Sequence, residues 1–260
     1  MELTTTPAVR ASLDGEVCTA VFDRPGEQNS ITGDLLADLH RVLDAAEADP
    51  RCRVVVLRAT GGVFCSGMDL ASAADPGARP AERGGAEFLG VLRRLTETPR
   101  VVVAQVDGRV TGGGVGIVAA CDLVHATARA QFSLPEALWG LLPACVTPFL
   151  IRRSGFQAAY SMTLTTTAVD VDRAQRWNLV DEAVSRAEEF EPLLRRLVFR
   201  VGKVDPVTVG DVKRYFRRMW IVTDEVERTA VAEFRRLLDS ATVRERMAAF
   251  VTEQRFPWER

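Results

Sequence analysis

The chain has 260 residues, 47% of them hydrophobic and 26% charged, which suits one large α/β domain with a full core. Its net charge of −2 gives no case for nucleic-acid binding, and no apolar run approaches the roughly 20 residues that a membrane helix needs. The N-terminus lacks the basic start and apolar stretch of a secretion signal, so we expect a cytoplasmic protein.

Strand and helix patterns alternate over the first 128 residues. Residues 17–22 and 54–57 are rich in β-branched side chains and predict strands. Between them, apolar residues at helical spacing predict a helix that begins after Thr32, whose hydroxyl can cap it, and ends at Asp49. The chain therefore opens as an alternating α/β protein.

A second helix is predicted over residues 87–95 and a further strand over 101–103. The stretch 71–85 is rich in Ala, Gly, Pro and Asp and predicts a loop, either a lid over a bound ligand or a plain surface loop.

From residue 156 onward the pattern is mostly helical, with amphipathic spacing over 213–221, 226–238 and 244–250. We divide the chain into an α/β core over residues 1–195 and a C-terminal helical region over residues 196–260. Such a region packs either on the core or on a neighbouring subunit.

Five cysteines are spread along the chain without a CxxC pair or a Cys/His cluster: Cys18, Cys52, Cys65, Cys121 and Cys145. This pattern predicts free thiols in a reducing compartment and no metal site. For Cys65 a packed residue is favoured over a nucleophile, because no histidine lies near it in the sequence.

A glycine run, GGGVG at residues 112–116, follows the predicted strand over residues 101–103 and precedes a small apolar segment. Glycine lets a turn adopt unusual backbone angles and lets a ligand approach the main chain, and a helix start presents unpaired N–H groups. The run alone fits a plain tight turn as well as an oxyanion site.

A second strand end marked by glycine follows the same pattern, in the sequence VFCSGMDL at residues 63–70. It favours an oxyanion site over a plain tight turn. Gly67 allows close approach, and the Met68 N–H is placed to face a ligand. Two such strand ends, each with one free N–H, suit a thioester carbonyl oxygen. Glu136, in the sequence LPE at 134–136, then supplies one carboxylate, which suits acid/base chemistry if apolar neighbours raise its pKa towards neutrality. Without the other motifs it would fit an ordinary helix-terminal charge after a proline.

Four ordered blocks resemble the crotonase (enoyl-CoA hydratase/isomerase) superfamily over nearly the whole chain. They are FDRP with NS between residues 22 and 30, FCSGMD at 64–69, TGGG with CDLV between 111 and 124, and FSLPE with GLLP between 132 and 143. The resemblance implies an α/β crotonase fold, a spiral of repeated ββα units followed by a C-terminal helical region that builds a homotrimer or hexamer.

The resemblance also implies roles for individual residues. The N–H groups of Met68 and Gly113 would form the oxyanion hole, and Glu136 would be the catalytic acid/base. Substrate contacts fall at four positions: Ser66, Gly67, Gly112 and Gly116. No cofactor is implied, because the substrate arrives as a phosphopantetheine thioester on coenzyme A or on an acyl carrier protein.

Differences from the usual superfamily pattern indicate which branch of the superfamily this chain resembles. Hydratases of the superfamily usually carry two glutamates, and Gly116 stands where the first would be, whereas Glu136 is kept. The run at residues 134–153, the SGMD form at 66–69 and the closing FPWE at 256–259 resemble a branch of dehydratases from polyketide β-branching. That branch removes water from a 3-hydroxy-3-methylglutaryl group on an acyl carrier protein, giving 3-methylglutaconyl thioester.

The other polar residues are interpreted as supporting or structural rather than as the main catalytic groups. Asp69 either orients the oxyanion loop or assists the leaving hydroxyl, and the loop-orienting part is favoured. Arg79 and Arg83 are candidates for the free carboxylate of a glutaryl substrate, although solvated loop charges are the plainer interpretation. His40 and His125 lie outside the motifs and are interpreted as structural.

Two alternatives remain open. The chain can be a coenzyme A hydratase or isomerase with one glutamate, which would prefer coenzyme A over a carrier protein. It can also be an idle subunit with a binding or assembly role, which would turn over no thioester.

Overall fold

The structure, a computed structural model, describes residues 2–5, 8–69, 81–220, 222–253, 256 and 258. Its strands are β1 (Glu2–Thr5), β2 (Val9–Asp14), β3 (Val17–Phe22), β4 (Val54–Ala59), β5 (Val63–Cys65), β6 (Val101–Val106), β7 (Arg109–Thr111), β8 (Leu123–Thr127), β9 (Gln131–Ser133), β10 (Val169–Asp170) and β11 (Glu182–Val184). Its α-helices are α1 (Gly33–Ala48), α2 (Ala81–Glu97), α3 (Gly113–Ala120), α4 (Thr147–Ser154), α5 (Phe156–Thr165), α6 (Val171–Arg176), α7 (Phe190–Val201), α8 (Pro206–Arg217), α9 (Asp224–Leu238) and α10 (Ala241–Glu253).

Within these described residues the strands form two sheets. The larger has the order β1-β2-β3-β4-β6-β8-β11 and is parallel from β3 onward; the smaller has the order β10-β9-β7-β5 and is parallel except at β10. The pairs β4/β5, β6/β7 and β8/β9 each place their first strand in the large sheet and their second in the small one. This repetition confirms the predicted ββα units of a crotonase fold.

The central strands are apolar throughout because both faces of the large sheet are covered. All four residues of 54–57 are fully buried, with one face in the main core and the other under Leu194 of α7. Helix α1 begins as predicted, since the Thr32 hydroxyl accepts a hydrogen bond from the Leu35 N–H at 3.3 Å.

The small sheet decides where the site lies. Strands β5, β7 and β9 are parallel neighbours, so their carboxyl ends meet at one edge. The oxyanion loop follows β5, the glycine run follows β7, and the turn that carries Glu136 follows β9. Three motifs that are far apart in sequence therefore converge.

Two predicted features need correction. Residues 81–85 are the first turns of α2 and not part of a loop, and two short strands, β10 and β11, interrupt the predicted helical stretch after residue 156. Gly85 explains the first error, because a methyl group there would lie 2.9 Å from Phe234 Cδ1; glycine lets α9 approach α2 closely. The remainder of the predicted lid, residues 71–80, lies outside the described residues.

Candidate active site

The turn that carries Glu136 is a 3-10 turn, Glu136–Trp139, between Pro135 and Gly140. The Leu141 N–H closes it by donating to the Glu136 carbonyl oxygen at 3.0 Å, and Gly140 ends it with a φ of +80°. The turn is joined to the glycine run, because the Gly112 N–H donates to the carbonyl oxygen of Ser133, the last residue of β9, at 2.9 Å. The catalytic turn and the glycine run are thus fixed to each other by the backbone.

The Glu136 carboxylate is held away from water. The residue as a whole is half-buried, but its Oε2 atom is buried and has no hydrogen-bond partner among the described residues. Burial disfavours the charged form and raises the pKa of Glu136 to about 7. A carboxyl group with that pKa can take up and release a proton near neutral pH.

The glycines at the other two strand ends bring the backbone up to this carboxylate. Gly67 has a φ of +83°, and a methyl group there would lie 3.1 Å from the Gly113 nitrogen. Gly112 has a φ of +56° and a ψ of −124°, and a methyl group there would lie 3.1 Å from Glu136 Oε1. Both positions therefore require glycine, for backbone angle as well as for space.

The two predicted oxyanion donors are available. No hydrogen bond from the Met68 or Gly113 N–H to any described residue is seen, whereas the neighbouring Gly67 carbonyl accepts from the Ile31 N–H at 2.8 Å. Gly113 is also the first residue of α3, where the helix dipole favours negative charge. The arrangement can stabilise negative charge that develops on a carbonyl oxygen beside Glu136.

Asn29 ties the segment after β3 to the turn between β4 and β5, a role that we did not predict. Its Oδ1 accepts from the Arg24 N–H at 2.8 Å, and its Nδ2 donates to the carbonyl oxygens of Thr60 at 3.0 Å and Val63 at 2.8 Å. Asn29 is buried and has a φ of +52°, which asparagine tolerates better than most residues. The signal in the sequence was an asparagine four residues after Pro25, and its hydrogen-bond partners could not be predicted from the sequence.

The structure describes some of the remaining predicted residues and not others. The Ser66 N–H donates to the Gln28 carbonyl oxygen at 3.1 Å, so its backbone supports the loop. Asp69 is half-buried beside Met68, and its part in the reaction stays a prediction. Arg79 and the Arg83 side chain lie outside the described residues.

Three other groups lie apart from the chemistry. Burial raises the pKa of the Cys65 thiol to about 12, which leaves little thiolate and fits a packed residue. His125 is buried on β8, in register with Gln105 of β6, and burial lowers its pKa. His40 lies on α1, away from the three strand ends.

Gly116, where the family's hydratases carry a second glutamate, is enclosed by apolar side chains. A methyl group there would lie 3.1 Å from both Phe88 Cζ and Val146 Cγ2 and 3.5 Å from Leu92 Cδ1. The predicted substrate contact at Gly116 finds no support in this packing. The position holds neither a carboxylate nor room for one.

Restoring that glutamate should therefore fail. We expect Gly116→Glu to lower the free energy of unfolding by at least about 3 kcal/mol, because it places a carboxylate among packed apolar groups. Urea denaturation measures this, with Gly33→Glu as the control, since Gly33 is exposed at the start of α1 and a side chain there meets nothing within 4 Å. A Gly116→Glu protein as stable as the wild type and with added hydratase activity would contradict this description.

An apolar cluster from the C-terminal helices covers the site. Trp139 and Met68 lie in it together with residues of α9, α10 and the C-terminus: Leu237, Leu238, Val243, Met247, Phe250 and Phe256. The helices α9 and α10 of the C-terminal region therefore pack on the core of their own chain.

Metal and membrane features are not found in the described parts of the chain. These residues contain no group of three or more His, Cys, Asp and Glu side chains that could hold a metal ion. Across the same parts, no helix is both long and apolar enough to cross a bilayer.

Comparisons with known proteins agree with this fold. The family model for enoyl-CoA hydratase/isomerase matches residues 13–260. The Bacillus subtilis protein "Bacillaene synthase dehydratase PksH" is 31% identical, over 100% of this chain and 99% of its own. Carnitinyl-CoA dehydratase of Proteus mirabilis is 29% identical, over 78% of this chain and 77% of its own.

Solved structures give the same result. The crystal structure of pksH from Bacillus subtilis superposes with a TM-score of 0.89 at 29% identity, covering 97% of this chain and 100% of that one. An enoyl-CoA hydratase from Mycobacterium avium superposes with a TM-score of 0.82 at 31% identity, covering 98% and 100%. The chain belongs to the enoyl-CoA hydratase/isomerase family. Within that family it is a carbon–oxygen lyase of the hydratase and dehydratase type.

Proposed function

We propose that this enzyme removes water from a 3-hydroxy-3-methylglutaryl group, carried as a phosphopantetheine thioester on an acyl carrier protein, and so gives 3-methylglutaconyl thioester in polyketide β-branching. The observation that carries the proposal is the carboxylate of Glu136, whose Oε2 atom is buried and unpartnered among the described residues, beside the unpaired N–H groups of Met68 and Gly113 and with an apolar enclosure at Gly116. The full-length likeness to a dehydratase of bacillaene synthase supports the polyketide setting.

The reaction uses one carboxylate twice. The ionised Glu136 takes a proton from the carbon next to the thioester carbonyl, and the resulting enolate oxygen is stabilised by the N–H groups of Met68 and Gly113. The carbon–oxygen bond at the β-carbon then breaks as the enolate collapses to the enoyl thioester. The leaving hydroxyl takes the proton from Glu136 and departs as water, which returns the carboxylate to its ionised form.

The test is mass spectrometry of an acyl carrier protein loaded with the 3-hydroxy-3-methylglutaryl group, alongside the same acyl group on coenzyme A. The proposal expects the loaded carrier to lose the mass of one water with the wild-type enzyme, faster than the coenzyme A thioester. Equal or faster turnover of the coenzyme A thioester would favour the hydratase/isomerase alternative, for which relatives such as carnitinyl-CoA dehydratase argue. No turnover of any thioester by the folded protein would favour an idle subunit.

We further propose a homotrimer or a hexamer. Helix α5 exposes a strip of large apolar side chains, with Phe156 and Leu164 63% exposed and Tyr160 50% exposed, and the rings of Phe156 and Tyr160 stack at 5.5 Å. A second exposed apolar patch lies at the end of α8 around Phe216. Contiguous apolar surface of this kind marks interfaces between proteins.

We expect Tyr160→Glu, or else Phe216→Glu, to convert the assembly into smaller species, because a charge cannot be buried at an apolar interface without a partner. Light scattering coupled to size-exclusion chromatography measures the mass. Thr167→Glu, at an exposed position beyond the end of α5, is the control and should leave the mass unchanged. A wild-type protein that is monomeric at micromolar concentration would refute the proposal.

A further inference from the structure

The indole of Trp139 has a buried N–H group that the chain does not satisfy. Trp139 is only 6% exposed, and its Nε1 atom has no acceptor among the described residues. Its ring packs against Phe250 at 5.2 Å and Phe256 at 6.3 Å between centroids, so apolar contacts hold the ring in place. Buried indole N–H groups normally find an acceptor, which points to one that comes from outside the protein.

The geometry of the turn relates Trp139 to Glu136. Glu136 and Trp139 are three residues apart in a 3-10 turn, and side chains at this spacing lie on one face. Trp139 also shares an apolar cluster with Met68, whose N–H faces the oxyanion site. The Trp139 side chain therefore lies on the same face of the turn as Glu136.

A cation is fixed at the next residue of the same turn. Gly140 has a φ of +80° and no side chain, and a methyl group there would lie 2.8 Å from Nη1 of Arg246. Arg246 comes from α10, and its guanidinium stacks over the Trp258 ring at 4.1 Å. Gly140 thus leaves the space in which this guanidinium is held against the catalytic turn.

Arg246 is held differently from three arginines of other helices. Arg93, Arg94 and Arg217 each pair with carboxylates, whereas Arg246 makes no ion pair with any described residue. The Trp258 ring and the turn at Gly140 hold Arg246 in place. Neither contact uses the charge-assisted hydrogen bonds that a guanidinium can donate to a carboxylate.

We propose that Trp139 Nε1 and Arg246 together bind a carboxylate at the far end of the acyl group. The inference rests on the proposed function, because a 3-hydroxy-3-methylglutaryl group carries such a carboxylate. It replaces the predicted candidates Arg79 and Arg83 with a pair from the described residues. Selection for a diacid follows from the same two donors, since an acyl group that ends in a methyl leaves both unpaired.

The test compares two unreactive ligands, the glutaryl and pentanoyl thioesters of pantetheine, which differ in the terminal carboxylate and lack the hydroxyl that would leave. Binding is measured by ligand-observed NMR titration. The wild type should prefer glutaryl, and Arg246→Met should reduce that preference by about 30-fold, since a hydrogen bond to a charged partner is lost. Trp139→Phe keeps the ring but removes the N–H, and should reduce the preference by roughly tenfold.

Controls separate binding from folding. Arg244→Met makes the same change of charge on the same helix and should leave the preference within about twofold of the wild type, because a change of net charge alone is screened by solvent. Affinity for the pentanoyl thioester should be unchanged in every variant. Equal losses for both thioesters, or an unchanged glutaryl preference in Arg246→Met and Trp139→Phe, would overturn the inference.

The same experiment distinguishes the two proposals. If the wild type fails to dehydrate the loaded carrier but the glutaryl preference disappears in the variants, the carboxylate site stands and the proposed reaction is wrong. If dehydration proceeds and the variants leave the preference unchanged, the reaction stands and the carboxylate site is wrong.

Discussion

Replacing Glu136 with glutamine should lower kcat/KM for dehydration by roughly a thousandfold or more, because the proposed base at the convergence of the three strand ends is lost. Asp69→Asn, made beside it, tests the second carboxylate of the motif and should cost at most about tenfold if Asp69 only orients the loop. Both rates are measured from the fraction of acyl thioester dehydrated over time. A Glu136→Gln enzyme within tenfold of the wild type would refute the assigned role.

The same change should make the protein more stable at alkaline pH. Burial raises the pKa of Glu136 from 4.5 to about 7, so the stability contributed by this group is fully present below about pH 4.5 and is lost as the pH rises through about 7. At pH 8 Glu136→Gln should therefore gain on the order of 3 kcal/mol in the free energy of unfolding, and near pH 4.5 the gain should vanish. Urea denaturation at the two pH values measures it.

The titration of Glu136 should have the opposite effect on wild-type activity, which should rise with pH while the stability falls. Because the ionised carboxylate is the base, kcat/KM should rise with pH through about 7. A stability gain in Glu136→Gln that is equal at both pH values, or a rate that does not change between about pH 5.5 and about pH 8, would contradict the titration of a buried carboxyl group.

Replacing Gly67 with alanine should lower kcat by about a hundredfold or more, because it disturbs the oxyanion hole itself. The added methyl would lie 2.8 Å from the Thr111 carbonyl oxygen and 3.1 Å from the Gly113 nitrogen, and these are backbone atoms that do not move cheaply. Steady-state kinetics on the loaded carrier measures the loss.

Gly15→Ala is the matched control for that substitution. Gly15 also has a positive φ, +56°, but a methyl group there meets nothing within 4 Å. It should cost about 1 kcal/mol of stability from backbone strain and leave kcat unchanged. Equal effects of the two substitutions on kcat would show that Gly67 matters through general stability and not through the oxyanion site.

The fold could be predicted where local patterns carry it. Helical spacing of apolar residues predicts the helix after Thr32, and β-branched residues predict the strands at 17–22 and 54–57. The structure confirms all three elements. The start of α2 could not be read, because Gly84 and Gly85 resemble a loop until the close approach of Phe234 is known. The strand β11 is only three residues long and forms through pairing with β8, which is not a local property.

The site, like the fold, has parts that the sequence predicts and parts that depend on tertiary structure. Glycines and a proline mark the turns that carry Met68 and Glu136, and the family resemblance added Gly113 to the predicted site. Their convergence depends on β5, β7 and β9 being neighbours in a small sheet, and strands of three residues give almost no periodic signal. The contribution of Arg246 was not readable, since it depends on α10 folding back over Gly140.

The most direct test of the central claim, that Glu136 removes the proton next to the thioester carbonyl, is proton exchange in heavy water. A glutaryl thioester has that proton but no hydroxyl to lose, so exchange reports the first step alone. The wild type should place deuterium at the carbon next to the carbonyl, and Glu136→Gln should do so roughly a thousandfold more slowly. Exchange at the wild-type rate in Glu136→Gln would contradict the account.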